Sequence, residues 1–231
     1  MGIAIGNLIL VVVLSYLIGS LPTALIISKK FFGFDIREKG SGNMGSTNVF
    51  RVLGVKWGII VQLIDILKGF VATAFISQLY FVDFPFPNPT PFENATLIKL
   101  AAGSAAVLGH MFTVFAGFRG GKGINTGLGM LIGIAPEEVA IVVGVFLLAL
   151  LSSGYVSLGS IMAAIALPIS LVIRYHIFHD AIPDYNTVVV FFSVLAALIV
   201  YAHRKNIARL LKGTENRFEK LWILRCRKKQ A

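Results

Sequence analysis

A chain of 231 residues that is 56% hydrophobic and 14% charged, with mean hydropathy +0.82, cannot cover itself as a water-soluble domain does, since soluble domains carry about 25% charged residues. Its net charge of +10 does not indicate nucleic acid, because the positive residues cluster in loops beside apolar runs, the signature of membrane topology. The single cysteine, Cys226, excludes an internal disulfide and fits a reducing cytosol.

A bilayer core takes roughly 20 residues of helix. The first apolar run, from Ile3 to Ser28, is too long for a signal peptide and has no basic segment before it, so it reads as a retained helix. Apolar periodicity and length place spans over residues 5–28, 57–81, 97–117, 124–135, 138–152, 155–175 and 186–202. The fourth of these, ending at Pro136, is short and glycine-rich, as expected of a re-entrant or broken segment packed against protein. The expected fold is therefore an all-α integral membrane protein with about seven transmembrane helices, forming one polytopic domain over residues 1–231.

Charge sets the sidedness. Residues 29–56, 118–123 and 203–231 hold 18 of the 21 Lys and Arg residues. The alternate loops carry Asp83, Glu93, Glu137, Glu138, Asp180 and Asp184. The positive-inside rule puts the first group in the cytosol. The N-terminus is then expected outside, and the C-terminus, with its basic tail 203–231, inside.

Two polar, glycine-rich strings fall on that cytosolic side. The first, Ser41-Gly42-Asn43-Met44-Gly45-Ser46-Thr47-Asn48, is followed by Arg51. Glycines let backbone N–H groups form concave anion nests, and a helix starting near Thr47 would add its N-terminus. A turn with an N-cap needs fewer donors than this. The second string runs from Gly109 and His110 to Arg119-Gly120-Gly121-Lys122-Gly123. It is not a nucleotide P-loop, because Ala116 stands where the first glycine belongs and Gly123 where Ser or Thr belongs. A glycine-cradled lysine for another phosphate remains open. His110 is either a hydrogen-bonded core residue or a site residue. Asp65 and Lys68 lie three apart on one helical face within the second span, so they are expected to pair. Lys68 is equally a candidate substrate contact. The tail opens His203-Arg204-Lys205-Asn206 and continues through Arg209 to Gly213 and Glu215. A basic helix on anionic headgroups accounts for its arginines and lysines, but less well for Asn206. The sequence offers no metal-ligand cluster.

These three motifs, in this order and over nearly the whole chain, resemble the bacterial acyl-phosphate:glycerol-3-phosphate acyltransferase family. The middle one includes Phe112, Phe115 and Phe118, and the last reads His203-Arg-x-Asn206-Ile-x-Arg209-Leu. Departures are an extended loop at 82–96 and a longer basic tail after Phe218, neither within a motif. The resemblance implies an enzyme of phospholipid synthesis in the bacterial cytoplasmic membrane, with its active site facing the cytosol. It would move a fatty acyl group from acyl phosphate to the 1-hydroxyl of glycerol 3-phosphate, without cofactor or metal. Membrane lipid and the enzyme that makes acyl phosphate are the expected partners. His110, Lys122 and Asn48 are the catalytic candidates. Ser41, Gly42, Asn43, Thr47, Asn48, Arg51, Lys68, Gly120, Gly121, Lys122, His203 and Asn206 are the candidates for binding phosphate and glycerol. The competing reading is a transporter of a phosphorylated metabolite, built on the broken segments. It calls for a midplane site reachable from both sides, whereas these motifs cluster on one face.

Overall fold

The computed structural model describes residues 2–83, 93–221 and 223. Most of the loop at 82–96, and the end of the tail with Cys226, lie outside these residues. Among the described residues the chain is helical and has no strand. Five helical segments are long and apolar enough to cross a membrane: Gly2–Phe32, Val55–Leu79, Asn94–Ala116, Val156–His176 and Tyr185–Ala202. The chain divides into two compact units, Met1–Pro136 and Glu137–Ala231.

In the first unit the expected first span is two helices. α1 (Gly2–Gly19) and α2 (Thr23–Phe32) are separated at Ser20-Leu21-Pro22. Proline has no N–H to continue a helical ladder, and the residue before it is pushed out of the helical region. α3 (Ser46–Leu53) begins within the first glycine string, one residue from the expected start. α4 (Val55–Ala74) and α5 (Asn94–Met111) match the second and third expected spans, each ending earlier, in short turns. α6 (Ile124–Ile134) is the short fourth run. It lies close along α4, where a Cβ on Gly69 or Gly129 would run into the backbone of the opposite helix. Small residues allow this approach where lipid supplies no hydrophobic drive between helices. α1 packs along α5.

An aromatic and basic collar surrounds the end of α2 and the start of α4. Phe31 and Trp57 lie 4.8 Å apart between ring centres. Lys30 sits 5.7 Å from the Phe31 ring, Lys56 5.6 Å from Trp57 and Lys39 5.9 Å from Phe34. Aromatic rings and cations in this combination favour a membrane–water interface.

The second unit holds α7 (Glu138–Ser153), α8 (Val156–His176), α9 (Tyr185–Ala202) and α10 (Arg204–Leu211). α8 packs between α7 and α9. One end of α8 meets a buried charge: the Glu138 carboxylate accepts hydrogen bonds from Ser170 at 2.5 Å and Arg174 at 2.6 Å, and Arg174 also donates to Asp180 at 2.7 Å. A fully buried carboxylate is tolerable when paired and hydrogen-bonded in this way.

Candidate active site

The first glycine string is a loop stitched from within. Asn48 is 1% exposed. Its side-chain oxygen accepts the Ser41 N–H at 2.8 Å, and its amide donates to the carbonyls of Ile36 at 3.2 Å, Lys39 at 3.1 Å and Asn43 at 2.9 Å. Asn43 accepts from the Gly45 N–H at 2.8 Å. Buried loop carbonyls need such partners, and one side chain serves three of them. Asn48 therefore organises the loop. Ser41 and Gly42 are exposed, while Asn43, Thr47 and Arg51 are half-buried. The loop rests on an apolar cluster that includes Leu25, Ile36, Met44, Val49 and Ala116.

Hydrogen bonds tie the first string and the turn before it to the second string and the helix that follows it. Asn125, in the first turn of α6, donates to the Ser46 hydroxyl at 2.9 Å. Arg37, which the sequence did not single out, donates to the Ala116 carbonyl at 2.9 Å and grips Asp35 through both carboxylate oxygens. That grip lowers the Asp35 carboxyl to about 2, against the opposing effect of burial.

In the second string α5 ends at Met111, and the chain doubles back on itself. The Gly120 and Gly121 N–H groups donate to the carbonyls of Met111 and His110, both at 3.0 Å. Side chains at these glycines would collide with the His110 carbonyl and ring. The structure thus gives these two amides a hairpin role and commits them to α5 carbonyls, where the sequence suggested an anion. Lys122 follows, half-buried, with a partner of its own. Phe112, Phe115 and Phe118 are exposed on the hairpin, and Phe118 adopts a positive φ of 58°.

Deeper in the same unit lies a charged cluster at the helix break. Lys68 is 3% exposed and donates to the Leu21 carbonyl at 2.5 Å and to Asp65 at 2.6 Å. The expected pairing is present, and a second Lys68 donor is committed to the helix break. His110 is also buried, its Nδ1 3.7 Å from the Asp65 carboxylate. Thr113 donates to the Ser20 carbonyl, and Ser20 donates to Gly109 at 3.3 Å. A cavity of about 10 Å³ lies among Ser20, Asp65, Lys68, His110 and Thr113, room for about one water.

The third motif belongs to the second unit. His203 is 2% exposed, with Nδ1 2.8 Å from the Ile199 carbonyl. Asn206 donates to Glu215 at 2.7 Å, as do Arg209 at 2.6 Å and Ser157 at 3.0 Å. Burial raises the Glu215 pKa, but these hydrogen bonds prevail and hold it below the usual carboxylate value. The tail then returns to the α7–α8 turn, where the Phe218 N–H donates to Gly154 at 2.8 Å and Arg217 lies 4.5 Å from the Tyr155 ring. The sequence placed Glu215 at the end of the third motif but gave it no partner, and a basic helix on headgroups did not account for Asn206. The signal was an acid set among the basic residues Arg209, Lys212 and Arg217.

The features define a multi-pass membrane protein whose first unit joins two polar glycine strings beside a buried ionic cluster. The glycerol-3-phosphate acyltransferase profile matches residues 9–213. The glycerol-3-phosphate acyltransferase of Chlorobaculum tepidum is 49% identical over 223 residues, covering 90% of this chain and 94% of that one. That of Chlorobium phaeobacteroides strain DSM 266 is 47% identical, covering 92% and 97%. The crystal structure of PlsY (YgiH), an integral membrane glycerol 3-phosphate acyltransferase, in its glycerol 3-phosphate form is similar with TM-score 0.76 and 37% identity, over 91% of this chain and 95% of that one. Its lysophosphatidic acid form gives TM-score 0.74 over 94% and 98%. The chain belongs to the glycerol-3-phosphate acyltransferase family and is an integral membrane acyltransferase.

Proposed function

We propose that this enzyme transfers a fatty acyl group from acyl phosphate to the 1-hydroxyl of glycerol 3-phosphate. The products are 1-acyl-glycerol 3-phosphate (lysophosphatidic acid) and inorganic phosphate. The observation that carries the reading is the joining of the two glycine strings through Asn125–Ser46 and Arg37–Ala116. Both substrates carry phosphate, and a reaction between them needs two anion sites held in one register. The similar solved proteins are described in glycerol 3-phosphate and lysophosphatidic acid forms, which supports the same acceptor and product here. The family match runs through both units, supporting one functional domain.

The acyl phosphate is a mixed anhydride with a good leaving group, so no covalent enzyme intermediate is needed. The glycerol 1-oxygen attacks the acyl carbonyl carbon, a C–O ester bond forms, and the bond from that carbon to the phosphate oxygen breaks. The hydroxyl proton passes to a substrate phosphate oxygen, whose second ionisation lies near pH ~6. His110, enclosed by Asp65 and Gly121, is the less suited acceptor. Ser41, Gly42, Asn43, Thr47 and Arg51 form one phosphate site, with Asn48 holding its loop. Lys122 neutralises charge on the second phosphate. His203 and Asn206 are assigned to substrate binding by their match to the family motif. Charge bias and the aromatic–lysine collar support seven spans with the N-terminus outside, and with them a reaction at the cytosolic face of the bacterial cytoplasmic membrane. There an enzyme making acyl phosphate supplies the donor.

The test is product formation by purified protein given glycerol 3-phosphate with palmitoyl phosphate, palmitoyl-CoA or palmitoyl acyl carrier protein in separate reactions. Lysophosphatidic acid from palmitoyl phosphate alone is the expected result. Product from either of the other donors alone would overturn the donor assignment.

A further inference from the structure

The helix break at Ser20-Leu21-Pro22 lies inside a 31-residue apolar segment, where free carbonyls are costly. Both carbonyls of the break receive side-chain donors from elsewhere in the unit, Leu21 in addition to the Thr23 N–H at 2.9 Å. Lys68 of α4 serves Leu21, and Thr113, just beyond α5, serves Ser20. Lys68 needs a counter-charge at this depth, and Asp65 supplies it at 2.6 Å. Asp65 also faces His110. The other edge of the His110 ring abuts Gly121, so closely that a methyl group at position 121 would strike Nε2. Gly121 precedes Lys122. A contiguous path of packed and hydrogen-bonded groups therefore runs from the break to the lysine of the second string.

Pairing alone does not require this arrangement. An ion pair in α4 could be capped by any nearby polar group, yet Lys68 is spent on the break and Asp65 is turned toward the histidine beneath the hairpin. We propose that Asp65 and Lys68 are positioning residues for acyl transfer. Acting through the break, His110 and Gly121, they set the height and orientation of the Gly120–Gly123 turn that carries Lys122. The proposal rests on the acyltransferase reading and adds two residues to it that touch neither substrate.

The test is Asp65→Asn/Lys68→Met, which removes both charges together and leaves no unpaired ion in the core. Thermal unfolding, kcat and the KM for each substrate are measured beside the native enzyme. A misplaced reacting geometry costs about 10- to 100-fold in rate, so kcat is expected to fall by that factor while each KM stays within about twofold. Thr113→Val removes only the hydroxyl that ties the hairpin to the break, and is expected to lower kcat in the same pattern by a smaller factor. A folded double variant with native kcat and a lowered unfolding temperature would make the pair merely structural and overturn the proposal. A raised KM for glycerol 3-phosphate at native kcat would make Lys68 a substrate contact and overturn it equally. If the double variant does not fold, Thr113→Val decides, and native turnover in that variant sinks the idea. Native enzyme that makes no product from any donor removes the reaction itself, an outcome seen before any variant is made.

Discussion

Arg37 donates one guanidinium nitrogen to the Ala116 carbonyl and holds both oxygens of Asp35 with the rest of the fork. It thereby fixes the loop of the first glycine string to the hairpin of the second. Lysine carries the same charge but no fork. Arg37→Lys can keep Asp35 or Ala116, not both. It is expected to cost about 1–2 kcal/mol and to raise KM for a phosphate substrate. Thermal unfolding and steady-state kinetics check the two effects separately.

Asp35 gives the same contact a pH dependence. Hydrogen bonding from Arg37 lowers its carboxyl from 3.8 to about 2, with burial opposing. A carboxyl depressed in the folded state adds stability above the unfolded value, and that stability is lost as pH falls through the folded value. Native protein is therefore expected to exceed Asp35→Asn in stability at neutral pH, with the gap closing between pH 3.8 and about 2. Denaturation at a series of pH values tests this; a gap that persists unchanged to pH 2 would refute it.

Much of this organisation is legible in the chain because lipid imposes severe rules. The apolar runs mark α8 and α9 almost to their ends and α4 and α5 near their starts, and Thr47 lies one residue from the start of α3. The Asp65–Lys68 pair follows from three-residue spacing at membrane depth. The split of the first run is harder to see. Pro22 was visible, but the side-chain donors Lys68 and Thr113 that serve the break are remote in sequence. The roles of Asn48, Gly120 and Gly121 were also out of reach. Their composition suggests anion donors, whereas their geometry spends the donors on the protein's own carbonyls. Arg37 and Glu215 escaped because the partners that give them a role, the Ala116 carbonyl and Ser157, are 79 and 58 positions away.

Asn48→Asp preserves size and the oxygen that accepts from Ser41. It also turns a carboxylate oxygen toward the carbonyls of Ile36, Lys39 and Asn43. Three acceptors losing their donor should cost about 2–3 kcal/mol. Loss of activity should accompany the loss of melting temperature. Activity lost at native melting temperature would instead point to Asn48 acting on substrate.

Alanine at the paired glycines separates backbone from side-chain collision. At position 120 the new methyl meets the His110 carbonyl, which cannot move without disturbing α5; at 121 it meets the end of the imidazole. Gly120→Ala is expected to lose folded yield, whereas Gly121→Ala folds with reduced turnover. Size-exclusion profiles and activity of the two purified variants distinguish them.

Glu215→Gln removes the charge that Arg209, Asn206 and Ser157 share. The amide presents donors where three donors already converge. A loss of about 1–3 kcal/mol is expected, with faster proteolysis after residue 213. Equal proteolysis of variant and native protein would show that Glu215 does not hold the tail.

The helix break also sets an order of manufacture. Leu21 has one donor close by, the Thr23 N–H, but its second comes from a residue 47 positions later, and the hydroxyl that serves Ser20 from one 93 positions later. When the first span emerges during synthesis, neither remote partner exists. The break then holds only its local bonds until Lys68 and Thr113 have been made. The segment translated first is among the last to gain its full set of partners.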